Sequence, residues 1–158
     1  MDGTDFHCNE RRPFWNGNFS HKFNHSGVRY EVITDAEGNI VRLDGPHRGG
    51  IPDTTIFRRG AMKELAPGEV CCGDKLYKRN LAEVFPADND KADERLSALK
   101  RARHETFNGR LKMWGAMKDK FHHSWEKRHG MAFRAIVVIT QIEIESGRPV
   151  FNINNVNM

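Results

Sequence analysis

Three carboxylates stand out by position. Asp2 heads an Asp-Gly-Thr run, Asp74 closes the short apolar segment Glu69 to Gly73, and Glu105 sits in the middle of a long helical pattern. Acids drawn from separate elements meet only through the fold, and their common use is to hold hard divalent cations such as Mg²⁺ or Mn²⁺, which take oxygen ligands. Two such ions about 4 Å apart activate a water and stabilise a leaving oxygen on phosphorus. In a chain with 21 acids, ordinary surface carboxylates remain the alternative. The helix adds a second feature. At roughly 100° per residue, Arg101, Glu105 and Lys112 fall within about 40° of one another, almost opposite Phe107 and Trp114. Such a stripe sets a carboxylate between cations and could present a metal-bound phosphodiester with basic neighbours on its backbone, while Arg101 and Glu105 at i, i+4 equally suit a surface ion pair.

The elements that must position these residues follow from pattern. Val28 to Ile33 alternates as a strand. Asp35 to Asn39 supplies turn residues, and Ile40 to Leu43 resumes, so a hairpin is expected. Gly45-Pro46 and Gly49-Gly50 are expected to break the chain. Pro52-Asp53 opens a helix with Ile56, Phe57, Met62 and Leu65 on its buried side, ended by Pro67-Gly68. Glu69 to Gly73 reads as a buried strand with Asp74 at its tip. Lys78 to Asp90 reads as a loop. From Asp90 or Asp93 as cap, a helix is expected to reach about Lys120, its stripe formed by Leu96, Leu99, Phe107, Leu111, Trp114, Met117 and Phe121 and interrupted by Arg103. His122 to Gly130 reads as a polar connection, Met131 to Ile144 as an apolar helix and Val150 to Ile153 as extended. The first 25 residues read as irregular after a very short start. A mixed sheet with helices packed against it is the natural arrangement, and 158 residues suit one domain.

Composition narrows the function classes. At 38% hydrophobic and 29% charged, the chain is neither disordered nor collagen-like. No apolar run approaches the roughly 18 residues of a membrane span, and the polar start is no signal peptide, so a soluble intracellular chain without membrane contact is expected. Lys100 to Arg128 holds nine basic residues against three acids, whereas the whole chain carries only +4, so a polyanion partner is expected. No G-x₄-G-K-[ST] or G-x-G-x-x-G occurs, which leaves a nucleotide cofactor unsupported. Cys8, Cys71 and Cys72 do not make a disulfide framework, and they form no zinc pattern with His122, His123 and His129. Those histidines read as solvated, and one of Cys71 and Cys72 as core. Phe107 and Trp114 read as core residues rather than base-stacking platforms.

The segments MDGTDF, FSHKFNHSGVRYEVITDAEGNIVRLDGP, GGIPDTTIFRRG, LAPGEVCCGDKLYKR, RARHETFNGRLKMWGAMKDKF and FRAIVVITQIEIESGRPVF, in that order, make the sequence recognisable. It resembles the catalytic domain of DDE-superfamily endonucleases, the Harbinger/PIF-like transposases and their bacterial insertion-sequence relatives. The resemblance implies an α/β, ribonuclease H-like mixed sheet flanked by helices, in one domain over residues 1–158. It implies a divalent-metal-dependent endonuclease or transposase that cleaves DNA with two Mg²⁺ or Mn²⁺ ions. The first acid of the family's DGT-type motif maps to Asp2 and that of the A-D-x-x-Y motif to Asp74, where Gly73 replaces the alanine. The helix glutamate maps to Glu105, 31 residues further on. These three would be both catalytic and metal-binding. The R-x₃-E-x₆-K pattern of related transposases is met by Arg101, Glu105 and Lys112, while the tyrosine that often stands three before the arginine is Ala98. Arg101, Arg103, Arg110 and Lys112 would hold DNA phosphates. Asp53, in a Pro-Asp that recurs in the family, ranks as an accessory metal-site acid, and Asp5 as a weaker substitute for Asp2. Because the chain starts one residue before Asp2, the first strand is expected to be largely missing, as is the family's N-terminal DNA-binding region. A separate DNA-binding protein or a homodimer would then complete the assembly, in the nucleus if the host is eukaryotic. The alternative is a catalytically inactive remnant that binds DNA or protein.

Overall fold

The computed structural model describes residues 2–9, 15–22, 24–73, 84–86, 91–122 and 125–151. At Asp2, 84–86, 91–98, 100, 101, 125 and 126 it describes the backbone alone. Strand β1 (Asp2–His7) pairs antiparallel along its whole length with β3 (His25–Thr34), from Asp2 opposite Val32 to His7 opposite Gly27. The first strand therefore forms as a six-residue element, where a nearly absent one was expected. Its alternation is masked in sequence because both its faces are covered. Thr4, Asp5 and Phe6 are all buried. The two-residue β2 (Phe19–Ser20) pairs with the start of β3, and β4 (Ile40–Arg48) pairs with the other edge of β3.

The β3–β4 hairpin is the expected one, but longer. Gly45-Pro46 does not break it. The register passes from Arg29–His47 to Glu31–Asp44, so Gly45 and Pro46 both lie opposite Tyr30 as a bulge. Gly45 has φ +128°, and a Cβ there would lie 2.6 Å from the Tyr30 ring, so the bulge demands glycine. At the hairpin tip the Asp35 carboxylate accepts hydrogen bonds from the Asn39 backbone N–H and Nδ2, each 2.8 Å. Asp35→Ala should cost about 1 kcal/mol and lower Tm by about 2–4 °C, read by thermal unfolding.

Helix α1 (Asp53–Arg59) starts after Pro52 as expected but ends at Gly60, short of Pro67-Gly68. Strand β5 (Cys71–Gly73) pairs in parallel with β6 (Val84–Pro86), a strand within the segment that reads as loop. Its three residues are too few for a periodic signal. Helix α2 (Lys91–Lys112) stops eight residues early. Trp114 is extended (φ −67°, ψ 129°) and caps the one-turn α3 (Gly115–Lys118), which leaves the indole exposed rather than in the core. Gly109 and Gly115 flank the break and lower the helix propensity there. Phe121 then adds a parallel bridge to Cys8. Helix α4 (Gly130–Glu145) matches the apolar helix expected. Val150 and Phe151 are bends, and the rest of the expected last extended segment lies outside the described residues.

The sheet has a different chemistry on each face. Thr4, Phe6, Val28, Tyr30 and Val32 line one face, where Phe6, Val28, Tyr30 and Val32 form the main core with Phe107 and Leu111 of α2 and Phe133, Ile136 and Val137 of α4. Gly3, Asp5, Arg29, Glu31 and Ile33 line the other, toward α1, where Ile33 and Cys71 pack on Phe57 and Ala61. Apolar burial on the first face and ion pairing on the second position the site.

Candidate functional site

Glu105 is placed by the residue before it. Phe107 and Leu111 anchor α2 in the core at full burial, which turns His104 onto the sheet. The His104 ring contacts the Val32 carbonyl through Nε2 at 3.2 Å, while Asn108 Nδ2 lies 3.1 Å from Nδ1. The amide can only donate to Nδ1, so the proton is on Nε2 and is donated to Val32. Val32 is also the strand partner of Asp2. The backbone of the DGT acid and the helix glutamate therefore approach the same end of β3. Glu105 itself is exposed. Asp74 follows β5 directly and lies outside the described residues, as does the side chain of Arg101.

The other helix cations have structural partners. Arg103 donates to the Ala36 carbonyl at 3.3 Å and lies over the Phe151 ring at 4.6 Å. Arg110 donates to the Arg148 carbonyl and to Glu143, both at 2.8 Å, tying α2 to the end of α4. The Lys112 ammonium lies 5.5 Å from the Phe6 ring centre.

Asp53 reaches β1. A Cβ on Gly3 would fall 2.2 Å from Asp53 Oδ1 and 2.7 Å from its Cγ, so the glycine of Asp-Gly-Thr makes room for the carboxylate at the start of α1. Arg29 holds that carboxylate, with Nη1 3.1 Å from Oδ1. The same guanidinium grips Asp5 through two contacts, Nε–Oδ1 at 2.5 Å and Nη2–Oδ2 at 2.8 Å, and donates to the Ile51 carbonyl at 2.8 Å. Ser20 Oγ donates to Asp5 at 2.6 Å. Asp5 is thus a buried structural anion and Asp53 a neighbour of the DGT motif. Gly3→Ala should lose about 1–3 kcal/mol in urea unfolding. In an Asp53→Ala background the cost should fall below half of that; an unchanged cost would disprove the steric assignment.

Among the described residues, one carboxylate with a raised pKa belongs to no sequence motif. Glu31 is 1% exposed, and neither oxygen has a hydrogen-bond partner among the described residues. It faces Asp44 directly across the β3–β4 pair. Burial pushes its pKa up to about 7, Asp44 and Asp53 adding to the rise and Arg42 opposing it. Arg42 pairs with Asp44 and Glu64, and Asp44 also meets His47. The only available signal was the period of β3, which puts Glu31 on the face of Arg29.

His129 corrects the reading of solvated histidines. A wide helical turn, Trp125–His129, runs straight into α4 and puts His129 one turn before Phe133, inside the core at 1% exposure. The Tyr30 hydroxyl lies 2.8 Å from Nδ1, and Phe6 and Phe121 pack on the ring. Burial lowers its pKa to about 4, so it is neutral at physiological pH. His122 is exposed, and His123 lies outside the described residues. Cys71 and Cys72 are half-buried strand residues, Cys71 against the Phe57 cluster. Cys8 is buried, which pushes its thiol up to about 12 and leaves it protonated.

Among the described residues no three His, Cys, Asp or Glu side chains form a metal-holding group. Three carboxylates such as Asp2, Asp74 and Glu105 are the donor type a hard dication takes, and Glu105 is exposed on a helix whose His104 contacts β3, the strand that pairs with β1. A family model described as DDE superfamily endonuclease matches residues 1–141. Searches of curated proteins and of solved structures return no match.

Proposed function

Because the chain belongs to the DDE superfamily endonucleases, we propose that it is a divalent-metal-dependent DNA endonuclease or transposase domain of the Harbinger/PIF-like type, with Asp2, Asp74 and Glu105 as its metal-binding acids. The observation that carries this reading is the His104–Val32 contact, which brings Glu105 to the strand partner of Asp2. The antiparallel order β4–β3–β1 and the parallel β5–β6 pair suit two halves of a ribonuclease H-like sheet.

When bound, Mg²⁺ or Mn²⁺ supplies the Lewis acidity for activating water and for charge on the leaving oxygen. The chain's own part is positional. Burial of Phe107 and Leu111 and the histidine contact fix the part of α2 that carries Glu105 against the sheet. Arg101 and Lys112, on its stripe, add positive charge for the phosphates. Asp53 is an accessory acid beside Gly3. The DNA lies along this end of the sheet, and a nuclear location follows if the host is eukaryotic.

Plasmid nicking by the purified chain with Mn²⁺ or Mg²⁺ tests this beside Asp74→Ala/Glu105→Ala. Metal-dependent nicking should appear and vanish in the double variant. Nicking that survives the substitutions overturns the acid assignment. A folded chain that binds DNA without nicking it would instead be a binding remnant of the family.

A further inference from the structure

Helix α4 is apolar on two sides. Phe133, Ile136, Val137 and Thr140 face the sheet and are buried. On the roughly opposite side Met131, Ala135, Val138 and Ile142 run along the surface, with Ile139 beside them. Met131 is 64%, Val138 58% and Ile142 54% exposed. Water-soluble proteins leave single apolar side chains exposed, but a helix with two apolar faces belongs in contact on both.

The order of residues along this stripe identifies the partner. Arg128 on the preceding turn, Met131, Ala135, Val138, Ile142 and Glu145 alternate spacings of three and four, the repeat of a helix–helix seam. All six are exposed. The series is self-complementary when reversed. If two copies of α4 cross antiparallel about a two-fold axis, Arg128 meets Glu145, Met131 meets Ile142, and Ala135 meets Val138, each contact occurring twice. The small Ala135 beside the axis permits close approach. The two charged residues lie at opposite ends and oppose each other only in the antiparallel arrangement. A parallel pair would set Arg128 against Arg128 and Glu145 against Glu145. This is the geometry of an isologous two-fold interface.

We propose that the outer face of α4 is a homodimer seam, occupied by α4 of a second copy of this chain in antiparallel register. The inference rests on α4 alone and does not depend on the endonuclease reading.

Sedimentation velocity of the full chain across the micromolar range tests this, with far-UV circular dichroism confirming folding. The wild type should be a dimer and Val138→Asp a folded monomer. Arg128→Glu should weaken the dimer about tenfold, a change of the size two lost surface ion pairs replaced by like charges produce. Arg128→Glu/Glu145→Arg should restore it, because the swap re-creates both contacts. A folded wild type that stays monomeric overturns the proposal. A dimer indifferent to Val138→Asp overturns the site. Failure of the charge swap to restore a dimer weakened by Arg128→Glu overturns the antiparallel register.

Discussion

Arg29→Met should lose about 3–5 kcal/mol of stability in urea unfolding, a large share of the 5–15 kcal/mol that holds a typical domain. The guanidinium joins three segments: Asp5 on β1, the Ile51 carbonyl before α1 and Asp53 at the start of α1. Asp5 is 1% exposed, and without Arg29 only Ser20 Oγ remains as a described donor to a charge shut away from water. The uncompensated anion, rather than the lost attraction, sets the cost. The methionine fills the space, so little of the loss would come from a cavity. A second substitution separates the two: Arg29→Met/Asp5→Leu removes the orphaned charge and should recover at least half of the loss. A single-variant loss under about 1 kcal/mol would show that water reaches Asp5 and that the pair acts as a surface one.

Glu31→Gln should make the protein more stable than wild type at pH 8, by about 2–3 kcal/mol, and equal to it near pH 4.5. The sign follows from linkage. Burial raises the folded-state pKa from 4.5 to about 7, so between these values the folded state binds more protons than the unfolded one. Stability from this group is fully present below pH 4.5, falls as pH rises through that window and levels off above about 7. Glutamine mimics the protonated acid and has no such slope. Burial is the leading cause of the rise; Asp44 and Asp53 add to it, and Arg42 and the N-terminal ammonium oppose it. Urea midpoints of both proteins across this pH range give the test. Parallel curves would mean that Glu31 stays ionised in the folded state.

Local patterns were legible where one physical signal acted alone. The β3–β4 hairpin announced itself through alternation around Asp35 to Asn39, the start of α1 through Pro52, and α4 through a continuous apolar run. Signals failed where a residue served two purposes. Trp114 fits the apolar spacing of α2, yet the backbone turns extended there and the ring faces solvent. His129 sits in a polar stretch, yet the helical turn leading into α4 carries it among Phe6, Tyr30, Phe121 and Phe133. Asp5 resembles Asp2 in type and position, and only the sheet shows that Arg29 and Ser20 occupy it.

Residue type and spacing by themselves determined the family, the candidate acids and the stripe of Arg101, Glu105 and Lys112, because chemistry and helical period are local properties. Which charges are neutralised in the interior was decided only by tertiary structure. Arg110 joins Glu143 across 33 residues and Arg29 joins Asp5 across 24, and Glu31 is stranded opposite Asp44. The reason is physical: the energy of a charge depends on what lies within a few ångströms and on how much water remains, and both are set by segments distant in the chain.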